Sequence, residues 1–146
     1  MGFPSIETLI PHRHAMLLVD ELLSPDGNSA VVKSVVRTEM AAVDNGKVAS
    51  YWGIEIIAQS IAAFFGYGWI SAGRDVSFGY IVAVDDFTVC SDVDPVLGDV
   101  LHCHIRLDYE AFPMGVYVGH IQIQDKVWAT AKLKCFLSEQ RQEIFT

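Results

Sequence analysis

A single glutamate in an apolar helix is the residue of this chain best suited to chemistry. From Tyr51 to Gly66 the spacing predicts a helix that is apolar on every side, and Glu55 is its one charged residue. A buried carboxylate without partners costs far more free energy than a side chain usually returns, so it is retained for a purpose. Gln59 lies four residues further on and therefore shares its helix face. The pair predicts a small polar site at the end of an apolar cavity.

Composition sets the class of protein. With 146 residues and 51% hydrophobic side chains, we expect one core and a single domain over residues 1–146. The net charge is -8 and only ten Lys and Arg are scattered along the chain, so binding to nucleic acid is not expected. Cys90, Cys103 and Cys135 lack CxxC spacing, which favours free thiols and a cytoplasmic location.

Neither export nor a membrane is indicated. The first residues lack a basic region followed by a long apolar run, so no signal peptide is expected. From Ile61 to Ile70 the apolar run has ten residues, whereas a span needs roughly 20. We therefore expect no contact with a membrane.

Periodicity and turn residues predict an α+β fold with one long helix and about six strands. The helix should run from about Tyr51 to Ser71 and end near Gly73, after a short helical turn over Pro4–Ile10 capped by Ser5. A hairpin is expected at Pro25–Asn28 and another at Gln124–Lys126. The predicted strands are Met16–Leu23, Ala30–Thr38, Gly79–Cys90, Val100–Tyr109, Gly115–Gln124 and Val127–Leu137.

The helix must be covered by the sheet, because no other element can cover it. Small residues would let the sheet approach closely, and these are Ala58, Ala62, Ala63 and Gly66. A helix that is apolar all round needs more cover than one small curved sheet provides. We therefore expect a dimer.

Five segments of the chain, in order, resemble the 3-hydroxyacyl-acyl carrier protein dehydratases of the hot-dog fold. The segment Ile10-Pro-His-Arg-His-Ala-Met-Leu-Leu-Val-Asp20 resembles their L-P-H-R-Y-P-F-L-L-V-D signature. Gly53-Ile-Glu-Ile-Ile-Ala-Gln59 resembles the x-x-E-A-M-A-Q of their central helix. The other three are Phe78-Gly-Tyr-Ile-Val-Ala-Val-Asp-Asp-Phe87, Pro95-Val-Leu-Gly-Asp-Val-Leu101 and Asp125-Lys-Val-Trp-Ala-Thr-Ala131.

The resemblance implies a fold, an activity and partners. It implies a central helix wrapped by an antiparallel sheet, with sites at a dimer interface. Among relatives, the chain is most similar to divergent predicted dehydratases of aryl polyene pigment pathways. The implied reaction removes water from a 3-hydroxyacyl thioester on acyl carrier protein and gives a trans-2-enoyl thioester. No cofactor or metal is implied, and the subunit could pair with itself or with a second hot-dog protein.

Dehydration needs a base for the C2 proton, an acid for the C3 hydroxyl and donors for the thioester oxygen. In the family a helix carboxylate protonates the hydroxyl, and this role falls on Glu55. Gln59 would orient that carboxylate. The first-turn amides near Ser50 and Tyr51 could polarise the thioester carbonyl, because they lack partners within the helix. An apolar tunnel along the helix should accept the acyl chain.

The catalytic base of the family is missing. In relatives it is the histidine of an H-F-P-G motif fourteen residues before the carboxylate, and this chain has Ala41 there. His12 or His14 of the Pro-His-Arg-His loop could take over, and His12 is the nearer candidate because that loop borders the acyl tunnel in relatives. A partner could instead supply the site, or the chain could be a non-catalytic subunit.

Other interpretations remain open. A third function, hydrolysis of an acyl thioester, would also use a helix carboxylate to activate water. His102 and His104 point the same way on a strand and form half of a possible metal site, without a third ligand in register. Arg13 is expected to pair with Asp20 or Glu21 or to cap a carbonyl. Arg13, Arg74 and a few lysines are candidate contacts for an acidic carrier protein.

Overall fold

The computed structural model describes residues 2–74 and 79–137. A short helix α1 is followed by a 3₁₀ turn over His14–Met16, two strands, a small two-stranded hairpin, the long helix α2 and four longer strands. Phe78, which begins one family-like motif, lies outside the described residues. The bounds are α1 Ile6–Leu9, β1 Glu21–Leu22, β2 Ser29–Val35, β3 Val43–Asp44, β4 Lys47–Val48, α2 Trp52–Ser71, β5 Gly79–Val89, β6 Val100–Ala111, β7 Met114–Ile123 and β8 Lys126–Leu137.

Six strands form one antiparallel sheet in the order β1-β2-β6-β7-β8-β5. Helix α2 packs against all six of these strands, so the sheet wraps around it. This confirms the predicted α+β fold of the hot-dog type and both predicted hairpins. The loop before the helix contains a small sheet that the sequence did not predict, because β3 pairs with β4 across Asn45 and Gly46.

The core lies between α2 and the concave face of the sheet. Inward positions alternate with outward ones along β2 and β7, as the period of a strand requires. Among the largest buried side chains are Trp128, Tyr117, Leu9, Leu18, Leu22, Ile57, Leu101, Ile105, Ile121 and Leu133. The cysteines are unpaired, with Cys90 exposed and Cys103 and Cys135 buried, and burial raises the pKa of the Cys103 thiol to about 12.

The long helix begins and ends as predicted. Tyr51 occupies the N-cap position, and Gly73 follows the helix with a φ of +75°, a conformation that glycine adopts without strain. Eight of the 20 helical residues are buried and most of the others are partly exposed. By length and composition alone, this 20-residue helix could also cross a membrane, although its uninterrupted apolar run from Ile61 to Ile70 has ten residues. Its contacts with all six strands of the main sheet place it in the protein core.

The predicted strand Met16–Leu23 is shorter than expected. Only Glu21 and Leu22 pair with β2 in this stretch, and His14–Met16 forms a 3₁₀ turn. In the residues just before β1, several backbone groups form hydrogen bonds with side chains instead of with a neighbouring strand. Gln59 bonds the Met16 carbonyl and the Leu18 amide, and Ser34 bonds the Leu18 carbonyl.

Close approach to α2 occurs at two glycines. A Cβ on Gly66 would lie 2.4 Å from the Leu9 carbonyl oxygen, so this glycine admits α1 rather than the sheet. That differs from the expectation that Gly66 serves the sheet. On the sheet side the close contact comes from Gly119, where a Cβ would lie 2.8 Å from the Ile57 side chain. Ser5 precedes α1 as predicted, but its side chain makes no cap hydrogen bond.

Candidate active site

Gln59 holds the Glu55 carboxylate in one orientation. It is fully buried, and its Nε2 donates to Glu55 Oε2 at 2.8 Å and to the Met16 carbonyl at 2.7 Å. Its Oε1 accepts from the Leu18 amide at 2.9 Å. Both ends of the amide group are therefore bonded, and the side chain cannot rotate without losing these contacts. Glu55 itself is a third exposed at the surface of this chain.

His12 lies beside the same carboxylate oxygen. Its Nε2 is 3.6 Å from Glu55 Oε2, while its Nδ1 is buried without a hydrogen-bond partner among the described residues. Burial lowers the pKa of His12, the Glu55 charge opposes this change, and Arg13 adds to it. Burial acts in this direction because a charged imidazolium loses more hydration than a neutral ring in a partly buried site. The lowered pKa favours the neutral form of His12, which a base requires.

The loop that carries His12 is fixed by Arg13. The guanidinium donates to the carbonyls of Glu7, Ile10 and His12, so the carbonyl-capping alternative for Arg13 is confirmed. Its expected acidic partner Asp20 is instead bonded by Arg37. Helix α1 and the loop are joined by these bonds, and α1 in turn lies against Gly66 of α2.

The structure brings together only part of the predicted site. Glu55, Gln59 and His12 form one contiguous group, whereas His14 is exposed and has a φ of +57°. At the start of α2, the amides of Trp52, Gly53 and Ile54 donate to the carbonyls three residues earlier, at 2.9 to 3.3 Å. These three amides are already bonded within the turn, and the role of the Ser50 and Tyr51 amides before them stays a prediction.

The His12–Glu55 distance is too short for a substrate to lie between the two groups. A substrate held between acid and base would need a spacing of about 5 to 7 Å, since each group must lie roughly 3 Å from the atom it serves. The observed 3.6 Å leaves no room for substrate atoms between Nε2 and Oε2. The two groups lie side by side instead, and both can face the same side of a bound molecule.

An apolar cavity of about 480 Å³ lies at the other end of the helix. It is formed between the C-terminal half of α2 and the β1–β2 and β6–β7 turns, and aromatic side chains dominate its lining. Neither Glu55 nor His12 lines it. The predicted acyl tunnel next to Glu55 therefore remains a prediction.

The two strand histidines have a partner that the sequence analysis missed. His104 pairs in register with His120 on β7, and the two rings stack with centroids 4.6 Å apart. Burial lowers the pKa of His104, and the neighbouring His120 and His102 lower it further. Within residues 2–74 and 79–137, no three His, Cys, Asp or Glu side chains are grouped so that they could hold a metal ion.

Comparison with known proteins agrees with this fold. The model of the ApeP-like family, described as ApeP dehydratase, matches residues 4–146. The 3-hydroxyacyl-[acyl-carrier-protein] dehydratase FabZ of Colwellia psychrerythraea is 31% identical over 135 residues, which cover 89% of each chain.

Solved structures share the fold. The dehydratase heterocomplex ApeI:P from Xenorhabdus doucetiae matches with a TM-score of 0.87 over 97% of this chain and 96% of the other, at 18% identity. A hypothetical thioesterase from Streptococcus pneumoniae, solved with coenzyme A, matches with a TM-score of 0.63 over 84% and 90% of the two chains, at 18% identity.

Fold and site together define a hot-dog protein with a carboxylate on its central helix. The chain belongs to the ApeP-like dehydratase family. It is a hot-dog dehydratase related to those of aryl polyene pathways, and the family relationship supports a hydro-lyase type of reaction.

Proposed function

We propose that this chain provides Glu55 and His12 for the dehydration of 3-hydroxyacyl thioesters carried on acyl carrier protein. The observation that carries the proposal is the arrangement of His12 and Gln59 around one oxygen of Glu55. The FabZ relative, whose name gives this substrate class, supports the choice of substrate. The unpaired thiols suit a reducing compartment, and we propose that the protein works in the cytoplasm.

Each catalytic atom can be assigned a role. His12 Nε2 takes the proton from C2, and the electrons of that C–H bond form the C2=C3 double bond as the C3–O bond breaks. The departing hydroxyl takes a proton from Glu55 and leaves as water. Because Oε2 already accepts from Gln59 and faces His12, we assign the delivery of this proton to Oε1. Proton transfer between His12 and the neighbouring Glu55 then restores both groups.

The side-by-side arrangement determines the stereochemistry. C2 and C3 are bonded neighbours about 1.5 Å apart, so a hydrogen on one and an oxygen on the other are also close when they share a face. Two catalytic groups 3.6 Å apart can serve both from that face. We therefore infer a syn elimination.

For the thioester oxygen, the amides of Ser50 and Tyr51 remain the proposed donors, because the three amides that follow them are bonded within the turn.

Deuterium at C2 tests this mechanism. A 3-hydroxyacyl carrier substrate of known C3 configuration is prepared with deuterium at one or the other C2 position. The trans product should lose the deuterium that lies syn to the hydroxyl and keep the other, as read by mass spectrometry. Retention of the syn deuterium would show an anti elimination and would exclude adjacent groups acting from one side.

The edge strand β5 is the proposed contact with a second hot-dog subunit. Among residues 2–74 and 79–137 it pairs only with β8, and its side chains Tyr80, Ile81, Val82 and Val84 are 40 to 54% exposed. An unpaired apolar edge strand is a template for pairing with another chain. A heterocomplex is named for the ApeI:P structure, and we propose the same kind of assembly, with a homodimer as the other possible outcome.

Sedimentation tests the assembly. The chain at micromolar concentration should sediment as a dimer, alone or after mixing with its partner subunit. Val82→Asp should shift it toward the monomer mass, because it places a charge in the middle of the exposed edge. Val93→Asp, in an exposed loop, is the matched control and should leave the mass unchanged. A monomer under all conditions would contradict the proposed assembly.

A further inference from the structure

A buried hydroxyl on β2 interrupts an otherwise apolar row. The inward positions of β2 and the residue after it are Ala30, Val32, Ser34 and Val36, and Ser34 is only 1% exposed. Burying a hydroxyl is unfavourable unless it is bonded. The Ser34 hydroxyl donates to the carbonyl of Leu18, which is itself fully buried. The Ser34 hydroxyl therefore has one partner, the Leu18 carbonyl.

The same residue, Leu18, determines which way the Gln59 amide faces. The Leu18 amide donates to Gln59 Oε1 at 2.9 Å, so Nε2 must point toward Met16 and Glu55. In the flipped orientation, the Leu18 N–H would face the Gln59 NH₂ group, and the Gln59 oxygen would face a carboxylate oxygen. Both contacts would be unfavourable. The position of Leu18 thus ensures that the Gln59 NH₂ group, and not its oxygen, faces Glu55.

We propose that Ser34 is a positioning residue for Glu55, acting through Leu18 and Gln59. The Ser34 hydroxyl anchors Leu18 from the β2 side, and the Leu18 amide in turn fixes the orientation of the Gln59 side chain. Gln59 then donates to Glu55 Oε2 and leaves Oε1 for substrate. The catalytic consequence rests on the proposed function of Glu55. The effect of Ser34 on the position of the Glu55 carboxylate next to His12 is independent of that function.

Ser60 provides a matched control. It is also fully buried, and its hydroxyl also donates to one backbone carbonyl, that of Ile56 in the preceding turn of α2. Its side-chain contacts, with the Ile56 carbonyl and with the buried Cys103 thiol on β6, do not involve Leu18, Gln59 or Glu55. Ser34→Ala and Ser60→Ala therefore each remove one buried hydroxyl, but only the first removes the anchor of Leu18.

The first readout is the titration of His12, followed by NMR in the wild type and in both variants. Glu55 raises the pKa of His12. If the Glu55 carboxylate is less firmly held beside the imidazole, it raises the His12 pKa less. Ser34→Ala should therefore lower the His12 pKa, whereas Ser60→Ala should leave it unchanged. Ser34→Cys, whose thiol is a weaker donor, should give a smaller shift in the same direction and serves if the alanine variant does not fold.

The second readout is turnover. Ser34→Ala should reduce kcat for dehydration about tenfold with KM within about twofold, as expected for a group that orients a catalytic side chain. An unchanged His12 titration in Ser34→Ala and Ser34→Cys, or an equal change in Ser60→Ala, would overturn the positioning role. If the wild-type complex shows no dehydration at all, the proposed function fails, and the His12 titration still decides the role of Ser34.

Discussion

Replacing Gln59 by leucine should destabilise the protein by a predictable amount. Leucine has a similar size, so it leaves little cavity, but it removes the acceptor of the Leu18 N–H, a residue with 0% exposure. An orphaned buried donor costs about 1 to 3 kcal/mol. The other two contacts add little, because Glu55 is a third exposed and Met16 is 45% exposed, so water can replace the lost bonds. We expect a loss of about 2 kcal/mol in the free energy of unfolding.

Guanidinium unfolding at fixed protein concentration, followed by tryptophan fluorescence, measures this loss. For a chain of this size it corresponds to a decrease in Tm of about 6 °C. Gln122→Leu is the control, because Gln122 is only half-buried on the outer face of the sheet and bonds His104, which is also partly exposed, so that water can replace the lost bond. It should stay within about 0.5 kcal/mol of the wild type. Equal midpoints for Gln59→Leu and the wild type would refute the claim that Gln59 satisfies a buried amide.

Two further predictions concern His12 and the support of its loop. NMR titration should give His12 a pKa below the ordinary imidazole value of about 6.5, and Glu55→Gln should lower it further, since it removes the charge that favours protonation. At a pH between the lowered pKa and the ordinary one, the imidazole of the unfolded chain binds a proton and that of the folded chain does not. The contribution of His12 to stability is therefore present above its ordinary pKa and is lost as the pH falls toward the lowered one. His12→Gln should therefore flatten the acid side of the stability profile, and an unchanged profile would contradict the assigned pKa direction. Gly66→Ala should cost about 1 to 3 kcal/mol and displace the loop of His12, because its Cβ would overlap the Leu9 carbonyl, whereas Gly68→Ala has open space and should be neutral or stabilising by thermal denaturation.

The sequence predicted the elements whose residues follow a regular period. The long helix and the strands from β5 to β8 were assigned within a few residues, because alternation and helical spacing report burial directly. The strand before β2 was overestimated. Leu18, Val19 and Leu22 are buried as in a strand. The side chains of Gln59 and Ser34 nevertheless bond the backbone of this segment, and such long-range contacts leave no local signal.

The site was only partly predictable for the same reason. Glu55 and Gln59 were found because a polar pair in an apolar helix is visible in one segment. The 3.6 Å contact with His12 depends on Arg13 capping three carbonyls and on α1 packing at Gly66. The contact between His104 and His120 depends on the register of two strands, which spacing along the chain does not give.

Turnover by the assembled dehydratase, with Glu55→Gln in this chain alone, tests the central claim most directly. The substrate is a 3-hydroxyacyl group on acyl carrier protein, and formation of the enoyl thioester is followed with the chain alone and with its partner hot-dog subunit. Glutamine keeps the size of the side chain but cannot supply the proton that the leaving hydroxyl needs, so we predict that turnover is abolished while the complex stays intact. Full turnover by a complex with Glu55→Gln would show that the chemistry belongs to the partner and that this chain is a non-catalytic subunit.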